Sequence, residues 1–76
     1  MTASDLRDLL IATLLRKVGG NKRDWRKAVG SVRVYDRATH PHCNWAINPA
    51  GDVGENAAIE RVMDDLRSAH PLVEGG

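Results

Sequence analysis

The 76-residue sequence contains no phenylalanine, one tyrosine, two tryptophans and a single cysteine. The lone thiol, Cys43, excludes a disulfide within the chain and fits a reducing compartment better than secretion. Signal-peptide character is also missing. The run Leu9-Leu10-Ile11-Ala12 follows Asp5, Arg7 and Asp8, with no basic stretch before it and no small-residue cleavage site after it. No stretch approaches the roughly 20 apolar residues of a membrane span, so no membrane association is expected. These absences predict a cytoplasmic protein. No catalytic motif is present, and a chain this short cannot readily shape a substrate cleft of ordinary size. A non-enzyme without a cofactor is therefore expected.

What is present is a charge split. Nine basic residues fall between Met1 and Arg37 (Arg7, Arg16, Lys17, Lys22, Arg23, Arg26, Lys27, Arg33, Arg37) against the acids Asp5, Asp8, Asp24 and Asp36, about +5. The remainder sets Arg61 and Arg67 against Asp52, Glu55, Glu60, Asp64, Asp65 and Glu74, about −4. The formal net charge of +1 thus hides a dipole of a kind that steers partners rather than sets folds.

The length predicts one domain over 1–76, with ends that fray at about 1–3 and 74–76. A chain of this size buries only about 60% of the surface its unfolded form exposes. Its core is thin, and thin cores are often completed by association. Ser4 to Val18 reads as a helix capped by Ser4, with Asp5 and Asp8 at its positive end and Gly19-Gly20 as its stop. Leu6, Leu10, Leu14 and Val18, with Leu9, form its stripe, and Ile11 and Leu15 widen it. Asp24 to Val29 reads as a short helical turn after a loop of Asn21, Lys22 and Arg23, with Gly30 as stop. Val32–Asp36 and Cys43–Asn48 alternate as strands of an antiparallel hairpin, joined by Arg37 to His42. Asp52 to about Ala69 is a second amphipathic helix on Ala58, Ile59, Val62, Met63 and Leu66, stopped by His70-Pro71. The fold class is α+β, a small αββα domain with one extra helical turn. Val32 and Val34 share the inner sheet face with Cys43, Trp45 and Ile47. Arg33, Tyr35, Arg37, Asn44, Ala46 and Asn48 take the open one. Trp25 and Trp45 are the expected core anchors.

Four groups of residues bear on function. His40, His42 and Cys43 are the weak candidates for a metal site, because imidazole and thiolate bind zinc. Three ligands fall short of a structural four, and adjacent strand residues point to opposite faces. A Cys–His nucleophile would need an exposed, activated thiol, whereas the pleat buries Cys43. Arg33, Tyr35 and Arg37, extended by Arg26 and Lys27, make a basic aromatic face. Such a face suits an acidic protein surface, or phosphates and unpaired bases. The bland alternative is a solvated face that pairs with the chain's own acidic helix. Ile11 and Leu15, an aliphatic surplus, predict self-association as a homodimer.

Trp25-Arg26-Lys27-Ala28-Val29-Gly30-Ser31-Val32-Arg33-Val34 and His40-Pro41-His42-Cys43-Asn44-Trp45 resemble small uncharacterised accessory proteins of proteobacterial mobile elements. The resemblance implies a modulator of transfer, defence or transcription and assigns no functional residue. The leading reading is a protein-binding modulator or inhibitor with an acidic-surfaced protein partner. A nucleic-acid-binding accessory protein comes second and a small metal-binding module third.

Overall fold

The computed structural model describes residues 1–75. They form α1 (Ala3–Lys17), α2 (Lys22–Val29), β1 (Val32–Val34), β2 (Trp45–Ile47) and α3 (Val53–Ala69), a small α+β arrangement. The two strands are antiparallel, with Val32 opposite Ile47, Arg33 opposite Ala46 and Val34 opposite Trp45.

The helix starts differ from expectation for one reason, which is where the better cap lies. α1 is capped by Thr2, not Ser4. The Thr2 hydroxyl accepts from the Asp5 N–H (3.1 Å) and the Asp5 carboxylate accepts from the Thr2 N–H (3.2 Å). That box satisfies two orphan donors at once. A Ser4 cap would place Arg7 at the reciprocating position, and Arg7 has no acceptor to offer. α2 likewise begins at Lys22 rather than Asp24, because Asn21 Oδ1 accepts from the N–H groups of Arg23 (2.9 Å) and Asp24 (3.2 Å). Lys22 and Arg23 are therefore helical, not loop. Gly30 stops α2 at φ 67°, a conformation that costs glycine nothing. Asp52 caps α3 in a second box with Glu55, and His70 closes it as the sequence predicts.

The strands are shorter than Val32–Asp36 and Cys43–Asn48. Pairing continues one step past Val34, where the Tyr35 N–H donates to Asn44 O (2.7 Å). Asp36 then turns the chain. Its carboxylate accepts from the Ala38 N–H (2.9 Å), and its carbonyl accepts from the N–H groups of Thr39 and His40. On the other strand the Asn44 N–H donates to Pro71 O (3.1 Å).

α1 is the element on which the others pack. Leu6, Leu10 and Leu14 are wholly buried, as the stripe predicts, while Val18 at the C-cap is exposed. α1 meets α2, α3 and β1, and α2 also meets α3. Ile59, Val62, Met63 and Leu66 of α3, Trp25, Ala28 and Val29 of α2, and Trp45 and Ile47 of β2 complete the core. Both tryptophans are anchored at the indole N–H. Trp25 donates to Gly19 O (2.7 Å), and Trp45 donates to His70 O (2.8 Å) with the Arg67 guanidinium 5.7 Å over its ring.

Asn44 corrects the reading of the open sheet face. It is buried, because the C-terminal segment runs over it. Asn44 Nδ2 donates to Val73 O and the Val73 N–H donates to Asn44 Oδ1, each at 2.8 Å. The side-chain amide thus pairs with Val73 as a neighbouring strand would. Val73 is itself buried. The ends expected to fray are tied together instead: Glu74 N–H donates to Met1 O (2.9 Å) and Ala3 N–H to Glu74 O (3.0 Å). Gly76 lies outside the described residues.

Two stability tests follow from this packing. Trp45→Ala removes an anchor worth about 3–5 kcal/mol, against a total of about 5–15 kcal/mol for a domain. Urea denaturation should show the variant unfolded or nearly so. Asn44→Leu keeps the volume but strands the Val73 N–H and C=O, each costing about 1–3 kcal/mol when buried without a partner. The amides of Val73 and Glu74 should then exchange with solvent much faster than in the wild type.

Candidate functional site

Strand parity decides what β1 offers to the outside. The Tyr35–Asn44 hydrogen bond makes that pair a hydrogen-bonded one, so Arg33 and Ala46, two residues away, are too. Val32 and Val34 therefore direct their N–H and C=O groups away from β2. No backbone or side-chain partner meets them among the described residues. β1 is the edge of a two-stranded sheet.

Beside this edge lies a groove of about 590 Å³, walled by Ala3, Ser4 and Arg7 of α1, by Val32 and Val34 of β1, by Gly30 and Ser31 before them and by Gly75 of the C-terminal segment. No acid lines it. Arg7 is fixed in place: Nε donates to Gly30 O (2.7 Å) and Nη2 to Arg26 O (3.2 Å). Those carbonyls end α2, so the guanidinium also sits at the negative end of that helix. Arg33, on the opposite sheet face from Val32 and Val34, is exposed and in no ion pair among the described residues.

The structure does not gather the five residues of the predicted basic face. Arg33 and Tyr35 hold their places on β1 and just after it. Arg37 is exposed in the Asp36 turn, where strand alternation no longer applies. Arg26 lines the α1–α2 cleft with Asp8, Ile11 and Leu15. Lys27 lines a separate depression with Asp24, Gly51 and Glu55. Sequence reasoning missed Arg7 altogether. Its signal was a cation set between Asp5 and Asp8 in the half of a helix that favours acids.

The histidine–cysteine cluster does not assemble. Among the described residues no group of three or more His, Cys, Asp or Glu side chains is placed to hold a metal. His40 stacks on Tyr35, ring centroids 4.5 Å apart and 22° from parallel, with Nδ1 2.9 Å from Thr39 Oγ1. Cys43 packs against the core, and its thiol faces Trp45 O at 3.5 Å. His42 is exposed.

The apolar surplus is largely covered. Ile11 is 2% exposed and Leu15 is half-buried, because α2 lies against that side of α1. The exposed large apolar side chains are scattered instead over Met1, Val18, Val34, Tyr35, Val53 and Leu72. No described helix is long and apolar enough to cross a membrane. Comparison with protein-family models, curated proteins and solved structures finds no match for this chain.

The burial of Ile11 turns the self-association expectation into a different test. Ile11→Glu places a charge in the core, so circular dichroism should show unfolding. A variant that stays folded while its sedimenting mass falls would restore Ile11 to an interface.

Proposed function

We propose that this protein is a non-catalytic binding module that docks on an acidic surface of a larger protein and modulates the complex it joins. The observation that carries this reading is Arg33, in no ion pair among the described residues, on the β1 edge beside a groove that holds Arg7 and no acidic side chain of the described residues. Among the described residues no acid of the chain forms an ion pair with Arg7 or Arg33. The ion pairs among the described residues are Lys17–Asp65 (3.6 Å), between exposed side chains, and Arg67–Asp64 (3.2 Å), within α3. Exposed pairs of this kind contribute little to stability. We place this modulating role in the cytoplasm, where a lone thiol such as Cys43 stays reduced.

Nucleic acid is the second reading, favoured by the partly exposed Tyr35 close to Arg33 along β1. His40 already covers one face of that phenol. Only the other face is open to a base, whereas single-strand binders combine several stacking rings with a basic track.

Fluorescence anisotropy with labelled polyglutamate and a labelled single-stranded oligonucleotide tests the choice. Wild-type protein should bind polyglutamate at low salt and lose it as salt rises. Arg33→Glu combined with Arg37→Glu should slow association by at least about tenfold and leave the circular dichroism unchanged. Unaltered binding by the double variant would reduce the basic face to a solvated surface. Preference for the oligonucleotide, with a steep linear loss against the logarithm of salt, would move the assignment to nucleic acid.

A further inference from the structure

The acidic-partner reading leaves open how a partner is held, and the β1 edge answers it. We infer that β1 takes a third strand, an extended segment of a partner protein in which apolar and acidic residues alternate. This inference rests on the reading above and specifies its geometry.

Three observations converge. The first is the pair of residues Val32 and Val34, whose backbone donors and acceptors point outward with no partner among the described residues. A row of alternating N–H and C=O groups is matched in full only by another backbone. A phosphate chain accepts but does not donate, and it would leave both carbonyls unmet.

The second is the character of the two faces. On the inner side the added strand meets Val32, Val34 and Ala3, with Arg7 at the groove wall. On the outer side it meets Arg33, which is exposed and unpaired. Residues opposite Val32 and Val34 are therefore apolar, and the residue between them, opposite Arg33, is acidic. The recognition pattern is apolar–acidic–apolar over about 10 Å of strand.

The third observation disfavours a second copy as occupant. Only residues of the same outward parity can pair, so full antiparallel overlap of two β1 strands sets Val32 opposite Val34 and Arg33 opposite Arg33. Like charges directly opposed destabilise such a pair. The same arginine that repels a copy attracts an acidic strand, so Arg33 supplies both the selection and the protection of this edge.

The test uses the intact protein with a synthetic peptide of alternating valine and glutamate. The control peptide has the same composition with its valines and glutamates in separate blocks. The alternating peptide should bind and the blocked one should bind at least about tenfold more weakly. Amide exchange at Val32 and Val34 should slow on binding. Methylating the peptide's valine amides should abolish binding and methylating its glutamate amides should spare it for antiparallel addition, with the reverse for parallel addition. Val34→Pro removes an outward N–H that β2 does not use, so the fold should persist while affinity drops about tenfold. The peptide methylation keeps the result decisive if that variant unfolds.

Equal binding of both peptides, or indifference to methylation at either parity, overturns strand addition. If Arg33→Glu with Arg37→Glu then still weakens polyglutamate binding, the acidic-partner reading stands without it. If neither the arginine nor the backbone changes matter, both fail. Slow exchange at Val32 and Val34 without peptide, in a sedimenting dimer, would make a second copy the occupant and overturn the inference.

Discussion

Leu6, Leu10 and Leu14 are wholly buried and Ile11 is nearly so, which means that α1 must be enclosed on more than one side. The rest of the fold is the set of elements that do the enclosing. An eight-residue helix such as α2 is unstable in isolation, and a two-stranded ribbon is marginal. Each holds its shape because it covers a sector of α1 or of the core beside it. Arg7 is the polar counterpart of the same constraint. Its two hydrogen bonds hold the end of α2 against α1; the one to Gly30 O meets a carbonyl beyond the helix's own ladder, and the one to Arg26 O adds to the bond that carbonyl already accepts from the Gly30 N–H.

That enclosure treats the two sides of the hairpin differently. The C-terminal segment follows His70-Pro71 past Asn44, seats Val73 in the core and pairs Glu74 with Met1 and Ala3. The Asn44 amide supplies one donor and one acceptor, the two groups that the passing Val73 backbone needs. One run of chain thereby covers the start of α1 and an otherwise unmatched polar side chain. β1 is met differently. Its outward groups face the groove beside Ala3, Ser4 and Arg7, which Gly75 at the end of the same tail also lines. No described residue of the tail hydrogen-bonds the backbone of Val32 or Val34.

Elements with strong periodicity and local caps were legible in the sequence. The stripe Ile59, Val62, Met63 and Leu66 and the stop at His70-Pro71 define α3 as the structure has it. The alternation that places Trp45 and Ile47 inward is likewise what the register shows. Helix starts were less legible because several capable caps sit close together. Thr2 displaces Ser4 and Asn21 displaces Asp24, through hydrogen bonds whose advantage lies in reciprocity or in doubling. The burial of Ile11 was legible as a widened stripe, but not that α2 rather than a second copy covers it. The burial of Asn44 was not legible, because it depends on Val73, distant in sequence, and no local pattern encodes such a contact. For the candidate site, Arg33 and the free edge could be read from alternation. Arg7 could not, since its role comes from α2 ending beside it.

The charge split survives folding because amphipathicity leaves the chain little choice. α3 turns its apolar stripe toward the core, so Glu60, Asp64 and Asp65 are exposed. Arg67 bonds Asp64 within the same helix, and across elements only Lys17–Asp65 joins the two signs among the described residues. The α2 cations have Asp8, Asp24 and Glu55 nearby, whereas Arg33 of β1 is in no ion pair among the described residues. A field of this kind acts on association rate and orientation more than on affinity. Affinity must come from short-range groups at the place where the field delivers a partner. In the complex proposed above those groups would be the outward N–H and C=O of Val32 and Val34, next to Arg33 and the Arg7 groove. In the proposed complex, steering and capture would coincide on β1.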